Sequence, residues 1–234
     1  MHHTYYYLNN KKFPIFVTKK TKEITPYTFQ PNVNMWDNNS IKQFFSCIDN
    51  NSYNIVDIGA QTGLYSLFAK YLPNSTFYSF EPFTDTYNCL NDNLKLNDIH
   101  NVKTFNFGIS DKSGTNILNT SKGHNGLHTM GNPLRFNDIK PITINTTTLD
   151  DFFFYKNIPV HFIKIDTEGW EYNILKGGEN TIKKYKPIIQ LEWNTTNMKQ
   201  CNTTEHELLS LLNKYKYYEK STADEEKLFY PKDI

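Results

Sequence analysis

Ile55-Val56-Asp57-Ile58-Gly59-Ala60-Gln61-Thr62-Gly63 is the stretch that decides the fold. A short apolar strand carrying Asp57 runs into two glycines, and a helical pattern follows to Tyr71. Glycine at such a turn lets the backbone approach a nucleotide-like ligand closely; the plainer reading is a tight turn that needs φ > 0. The Gly-x-x-x-Gly spacing has neither the Gly-Lys-Ser/Thr ending of a phosphate loop nor the three-glycine spacing of a dinucleotide fingerprint.

Outward from that turn, strand and helix alternate. Pro73 and Asn74 stop the first helix, Thr76 to Phe80 reads as a second strand, Asp85 to Leu96 as a helix and Val102 to Ile109 as a third strand. Repeated strand-helix-strand units predict a mostly parallel sheet with right-handed crossovers, a doubly wound α/β fold. After the turn Asp111-Lys112-Ser113-Gly114, the segment from 115 to 148 predicts an antiparallel excursion. Alternation resumes with strand Val160 to Ile165, helix Tyr172 to Tyr185, strand Ile188 to Leu191 and helix Thr204 to Lys214; Tyr215 to Tyr218 and Lys227 to Tyr230 supply the last strands. Upstream, Ile41, Phe44, Phe45 and Ile48 recur at helical spacing, and residues 1 to 35 read as a hairpin-like piece packed on the main domain. Residues 1–50 are expected to be an N-terminal extension with a lead-in helix, and 51–234 the main domain.

The strand ends carry the chemistry. Glu81, in Ser79-Phe80-Glu81-Pro82, follows the glycine turn by about twenty residues, where a carboxylate can accept from both hydroxyls of a ribose and so implies an adenosine-containing ligand. An acid ahead of a helix whose first residue is Pro82 is the plainer account. The run Phe162-Ile163-Lys164-Ile165-Asp166-Thr167-Glu168-Gly169-Trp170-Glu171 brings Asp166 and Glu168 to the same edge. Crowded carboxylates raise one another's pKa, which suits a general base or a cation site. Glu171 reads more simply as a charge complementing a helix N-terminus.

Taken in order, Val56 to Gly63, Phe80-Glu81-Pro82, Ser110 to Gly114, Phe162 to Glu171, Leu175-Lys176-Gly177-Gly178 and Pro187 to Glu192 resemble the FkbM family of methyltransferases. That resemblance implies a seven-stranded methyltransferase (Rossmann-like) sheet over 51–234, S-adenosylmethionine as cofactor, and O-methylation of a small-molecule, sugar or glycan acceptor. It implies that Asp57, Gly59, Ala60 and Gly63 hold the methionine portion, with Gln61 where the family usually has Asn. Glu81 and Pro82 would face the ribose, Phe83 or the 108–111 rim the adenine, and Asp166 the reactive side of the cofactor.

Methyl transfer to oxygen needs the acceptor held in line with the methyl group, and a base for its proton. Asp166 is the first candidate, with Glu168 beside it. His124 and His128, flanking Gly126 in the excursion, are loop imidazoles that could serve instead. Glu192 and Asn194, after the fifth strand, could join Asp166 in an oxygen-rich divalent-metal site, but hydrogen-bonded carboxylates account for the same residues and no metal is expected.

Composition excludes several alternatives. A net charge of +1 and a pI ≈ 7.7 give no electrostatic footprint for a nucleic acid. An RNA ribose or cap methyltransferase would pair Asp166 with a lysine at the next strand end, where Leu191-Glu192-Trp193-Asn194 stands instead. A non-catalytic cofactor-binding protein of the same fold is the other alternative. The cysteines Cys47, Cys89 and Cys201 form no CxxC, and no apolar run reaches the ~20 residues of a membrane span. With no signal-peptide pattern at the start, the expectation is an intracellular, cytoplasmic protein. Heavy use of Asn and Lys reads as genome bias.

Overall fold

The computed structural model describes residues 2–8, 11–24, 38–49, 51–121, 127–134, 138–220 and 226–232. The chain enters through an antiparallel hairpin, β1 (His2–Leu8) and β2 (Lys11–Val17), then α1 (Lys19–Ile24) and α2 (Asn38–Cys47). The alternating core follows: β3 (Asn54–Ile58), α3 (Leu64–Leu67) with a 3-10 turn at Phe68–Tyr71, β4 (Thr76–Phe80), α4 (Thr84–Leu96) and β5 (Val102–Phe105). The excursion comprises β6 (Gly108–Ile109), β7 (Gly114–Ser121) and β8 (Ile139–Thr147), which form their own three-stranded sheet. A π-helical turn at Asp150–Phe154 leads to β9 (Phe162–Ile165), α5 (Glu171–Lys176), α6 (Glu179–Tyr185) and β10 (Ile188–Glu192). Helices α7 (Thr195–Gln200) and α8 (Glu205–Lys214) precede β11 (Tyr217–Glu219) and β12 (Glu226–Pro231).

The seven-stranded sheet runs β11-β12-β10-β9-β3-β4-β5, as the family resemblance implied. Strands β10, β9, β3, β4 and β5 are parallel, and β12 pairs antiparallel with β10 and β11. The chain winds outward from β3 through β4 and β5, then returns to β9 on the other side. The crevice beyond the carboxyl ends of β3 and β9 is therefore the topological switch point, where open α/β sheets bind ligands. Side chains alternate across the strands, so Val56, Ile58, Ile163 and Ile165 pack into one buried cluster while Ile55, Phe77 and Phe162 pack into the other.

Three elements differ from the sequence reading, each for a local reason. The expected strand Val102 to Ile109 stops at Phe105, because Asn106 Nδ2 turns back to donate to Glu81 O and Pro82 O at 2.9 and 3.1 Å. The expected helix Tyr172 to Tyr185 breaks at Gly177-Gly178. Its second half restarts on Asp150, whose carboxylate accepts from Asn180 N and Thr181 N at 3.1 and 2.7 Å. Helix α7, not anticipated, is capped by Asn194.

The N-terminal segment docks on α4 through two asparagines. Asn97 accepts from Phe16 N (3.2 Å) and donates to Phe16 O (2.8 Å). Asn93, with 0% exposure, accepts from Thr18 N and Thr21 Oγ1 at 3.1 and 2.9 Å and donates to Thr62 O in the glycine turn at 2.8 Å. Asn93→Ala removes all three bonds at once and leaves a buried gap, so urea titration should show a loss of about 2–4 kcal/mol, against about 1 kcal/mol for Thr21→Val. Equal midpoints for Asn93→Ala and wild type would show that the extension does not depend on this residue.

Candidate active site

A polar row crosses the carboxyl half of one sheet face. Ser79, Asp57, Lys164 and Gln190 occupy one register row on the adjacent strands β4, β3, β9 and β10. Lys164 is the buried cation of this row, its side chain 5% exposed. Its Nζ lies 2.9 Å from Asp166 Oδ2 and 4.6 Å from the Tyr65 ring centroid. Tyr65 in turn bonds Ser40 of α2, which also accepts from Gln190 Nε2 at 2.9 Å. Asp57 is buried beside it: Oδ2 accepts from Ser66 Oγ at 3.1 Å, while Oδ1 has no partner. Burial raises the Asp57 pKa, and the charge of Lys164 opposes that rise.

The glycine turn is shaped by close approach. Gly59 has φ 78°, and a Cβ there would lie 1.9 Å from the Asp166 carbonyl oxygen. Gly63 has φ 95°, and its Cβ would meet Leu90 Cδ1 at 2.4 Å. Between them, Gln61 N donates to Glu81 Oε2 at 2.9 Å, while Ala60 N and Gly59 N both donate to Phe80 O at 3.0 Å. Glu81 Oε1 accepts from Phe83 N and Thr86 Oγ1, each at 2.9 Å. One acceptor direction of Oε2 remains for a ligand hydroxyl. Pro82 places Phe83 at the mouth of α4.

At the next strand ends, Asp166, Glu168 and Glu192 bring carboxylate oxygens within 4.8 Å of one another, a set that could hold a divalent cation. Asn197 Nδ2 bridges two of them, at 2.7 Å from Glu168 Oε2 and 2.6 Å from Glu192 Oε1. Burial, reinforced by the charges of Glu168, Asp166 and Glu171, holds the Glu192 carboxyl well above the usual range. Glu168, in a left-handed conformation (φ 55°), donates its N–H to Glu192 Oε2 at 3.0 Å. Asn194 does not join this group, because its side-chain oxygen accepts from Thr196 N and Asn197 N. Glu171 closes the turn before α5, accepting from Thr167 N and Gly169 N.

The excursion reaches the same edge. Thr129 Oγ1 and Gln200 Nε2 both donate to Glu168 O at 2.9 Å, fixing the strip around residue 129 to the carboxylate turn. His128 packs edge-on to Phe83, ring centroids 4.5 Å apart, and burial pushes its imidazole down to about 4. A ring that sheds its proton so readily is a weak proton acceptor at neutral pH. His124 lies outside the described residues. Sequence reasoning gave Lys164 and Asn197 no role. A lysine between two isoleucines of a buried strand was the available signal for the first; nothing local marked the second.

A family model described as Methyltransferase FkbM domain matches residues 57–218. The chain belongs to the FkbM methyltransferase family. Its similarity to Methyltransferase sdnD of Sordaria araneosa is 43% identity over 63 residues, 26% of this chain and 24% of that protein. Similarity to Methyltransferase 1 of Beauveria bassiana (strain ARSEF 2860) is 24% over 144 residues, 53% of this chain and 57% of the relative. The matched parts thus span a quarter to just over half of those relatives' length. Among solved structures, Methyltransferase FkbM from Methylobacillus flagellatus KT superposes with TM-score 0.50 at 18% identity, over 76% of this chain and 43% of that one. A SAM dependent methyltransferase from Aquifex aeolicus gives TM-score 0.52 at 11% identity over 91% and 98%. These two likenesses show the fold. Among the described residues, no helix is long and apolar enough to cross a membrane.

Burial pushes both Glu81 and Glu171 up to about 7 from 4.5. The unfolded chain releases these protons near pH 4.5 while the folded chain keeps them to about 7. Stability without ligand should therefore fall as pH rises through that window. Chemical denaturation should show a decline of roughly 2 kcal/mol or more between pH 4.5 and 7.5, with a shallower slope in Glu81→Gln. A flat profile in the wild type would contradict the burial of these acids.

Proposed function

We propose that the chain is an S-adenosylmethionine-dependent methyltransferase acting on a hydroxyl of a small-molecule, sugar or glycan acceptor. The observation that carries this reading is the pair of buried acceptors at the switch point. Asp57 Oδ1 has no partner and Glu81 Oε2 keeps acceptor capacity, on either side of a glycine turn. An unpaired buried acceptor is costly unless a ligand donor meets it. The methionine ammonium suits Asp57 and a ribose hydroxyl suits Glu81, so the donor pattern of S-adenosylmethionine fits both.

Bound S-adenosylmethionine supplies an electrophilic methyl on sulfur. Asp166 stands next along the sheet edge, paired with Lys164 and with its side chain 35% exposed. It would orient the acceptor hydroxyl and take its proton while the methyl passes from sulfur to oxygen, the S–C bond breaking as the C–O bond forms and the thioether S-adenosylhomocysteine departing. Glu168 and Glu192 complete an acidic wall that hydrogen-bonds further hydroxyls of the acceptor, with Asn197 tying the two together. The near-neutral overall charge favours a small hydroxylated acceptor over a nucleic acid.

Calorimetry with S-adenosylmethionine at pH 8, where the Glu81 carboxyl is ionised, should show binding to the wild type and a loss on the order of 10- to 100-fold in Glu81→Ala, the scale of a charge-assisted hydrogen bond. Unchanged affinity in a folded variant would remove Glu81 from the site. In transfer assays with labelled cofactor against nucleotide sugars, oligosaccharides and capped RNA, with and without a chelator, Asp166→Asn should lose at least ~10²-fold in rate while cofactor affinity barely moves. Transfer to RNA alone would overturn the acceptor class, and activity abolished by the chelator and restored by Mg²⁺ would make Asp166 a metal ligand.

A further inference from the structure

The crevice of the proposed reaction occupies the carboxyl edge of the sheet, and a second concentration of charge lies at the opposite edge, where β10 begins. Lys183 and Lys186 belong to the end of α6, just ahead of β10; Lys214 and Lys216 to the end of α8, just ahead of β11; and Lys232 follows β12. Together with Tyr215 they line a cavity of about 320 Å³. All five lysines are exposed, and among the described residues no acidic side chain lines the cavity. Backbone bonds fix its rim: Lys232 N donates to Lys216 O at 2.7 Å, Lys186 N to Ile182 O at 2.9 Å, and the Tyr217 hydroxyl to Pro187 O at 2.7 Å. Lys183 and Lys214 share one carboxylate, Glu179, at 2.5 and 3.0 Å, which brings ammonium groups of two helices together.

A lysine in the last turn of a helix complements the macrodipole, which accounts for Lys183 and Lys214. It does not account for Lys186 and Lys216. Both have left-handed backbone, at φ 48° and 64°, just beyond the last turn of a helix, where glycine or asparagine is the ordinary choice. Asparagine takes this conformation elsewhere in the chain, at Asn157 and Asn202, so a less strained residue serves at other turns. Two long cations held in that conformation line one cavity with three more, in a chain whose net charge is only +1. Such focused charge draws a counter-ion. We infer that the cavity binds a compact polyphosphorylated anion, at a site separate from the crevice. Ammonium groups are point-charge donors that meet phosphate oxygens from several directions, and adjacent phosphates supply the clustered negative charge that matches five lysines. A nucleic-acid backbone spreads its charges along a line, whereas these lysines close around one volume.

Sodium tripolyphosphate, orthophosphate and a short RNA duplex are titrated calorimetrically, at constant ionic strength, into the wild type and two double variants. Lys186→Asn/Lys216→Asn removes two cavity lysines, and asparagine tolerates the left-handed backbone, so its melting temperature without ligand should equal or exceed that of the wild type. Lys19→Asn/Lys20→Asn removes the same charge from the exposed side of α1. The wild type should bind tripolyphosphate at least ~10-fold more tightly than orthophosphate, and its melting temperature should rise with tripolyphosphate concentration. The cavity variant should lose about 10-fold or more in tripolyphosphate affinity, and the α1 variant less than about 2-fold. Equal losses in the two variants reduce the effect to net charge and overturn the site, as does a wild type that binds neither phosphate or binds both alike. RNA bound more tightly than tripolyphosphate, and lost in the cavity variant, overturns the compact ligand in favour of a nucleic-acid surface.

Discussion

One buried ammonium organises the site. Lys164 sits in the middle of a parallel strand, where an unpaired charge would cost several kcal/mol. Its environment compensates on three sides: Asp166 at ion-pair distance, the Tyr65 ring face, and the neighbouring Asp57 carboxyl. Removing Asp166 takes away its ion pair and leaves only the weaker contacts. The row also sets relative positions, because Asp57 on β3 and Asp166 after β9 are both referred to the same cation. The two strand ends that flank the crevice are thereby held in one electrostatic frame, and Tyr65, Ser40 and Gln190 extend it to α2.

Beyond the reach of Lys164 the logic inverts. Glu192 is buried among acidic neighbours, so it keeps its proton more tightly than an ordinary carboxyl. Asn197 supplies a neutral donor to two carboxyls at once, a role that a lysine in the same place would turn into a second ion pair. One end of the acidic wall is thus paired with a cation and the other is neutralised by protons and amides. Such a gradient presents both hydrogen-bond acceptors and donors along one edge.

The sheet was legible because its signals are local: Ile55 to Ile58, Thr76 to Phe80 and Ile188 to Leu191 are short apolar runs bounded by turn residues, and their order dictates the winding. The position of the glycine turn was legible for the same reason, since Asp57, the glycines and Glu81 stand at strand ends. What escaped reading depends on partners remote in sequence. Val102 to Ile109 looks continuous until Asn106 is seen to bond the backbone at Glu81, and the break at Gly177-Gly178 makes sense only with Asp150 in place to restart the helix. Asn194 offered the right oxygen for a metal site, but whether it faces the carboxylates or caps α7 is a question of backbone direction.

The asparagine-rich composition, read from the sequence as compositional drift, is used at specific places. A carboxamide presents an acceptor and a donor of similar size pointing in different directions, so it can join two backbones that expose opposite polarity. Asn93 does this between the entry segment and the glycine turn, whereas Asn106 and Asn101 use the donor half, Asn106 toward the carbonyls of Glu81 and Pro82 and Asn101 toward those of Ala69, Leu72 and Ser75. Aspartate at any of these positions removes the amide donor that all three use, and leucine removes donor and acceptor together. Genomic pressure toward one amide residue has in this chain become a set of rivets, and a shift of base composition in the opposite direction would meet its first resistance at those positions.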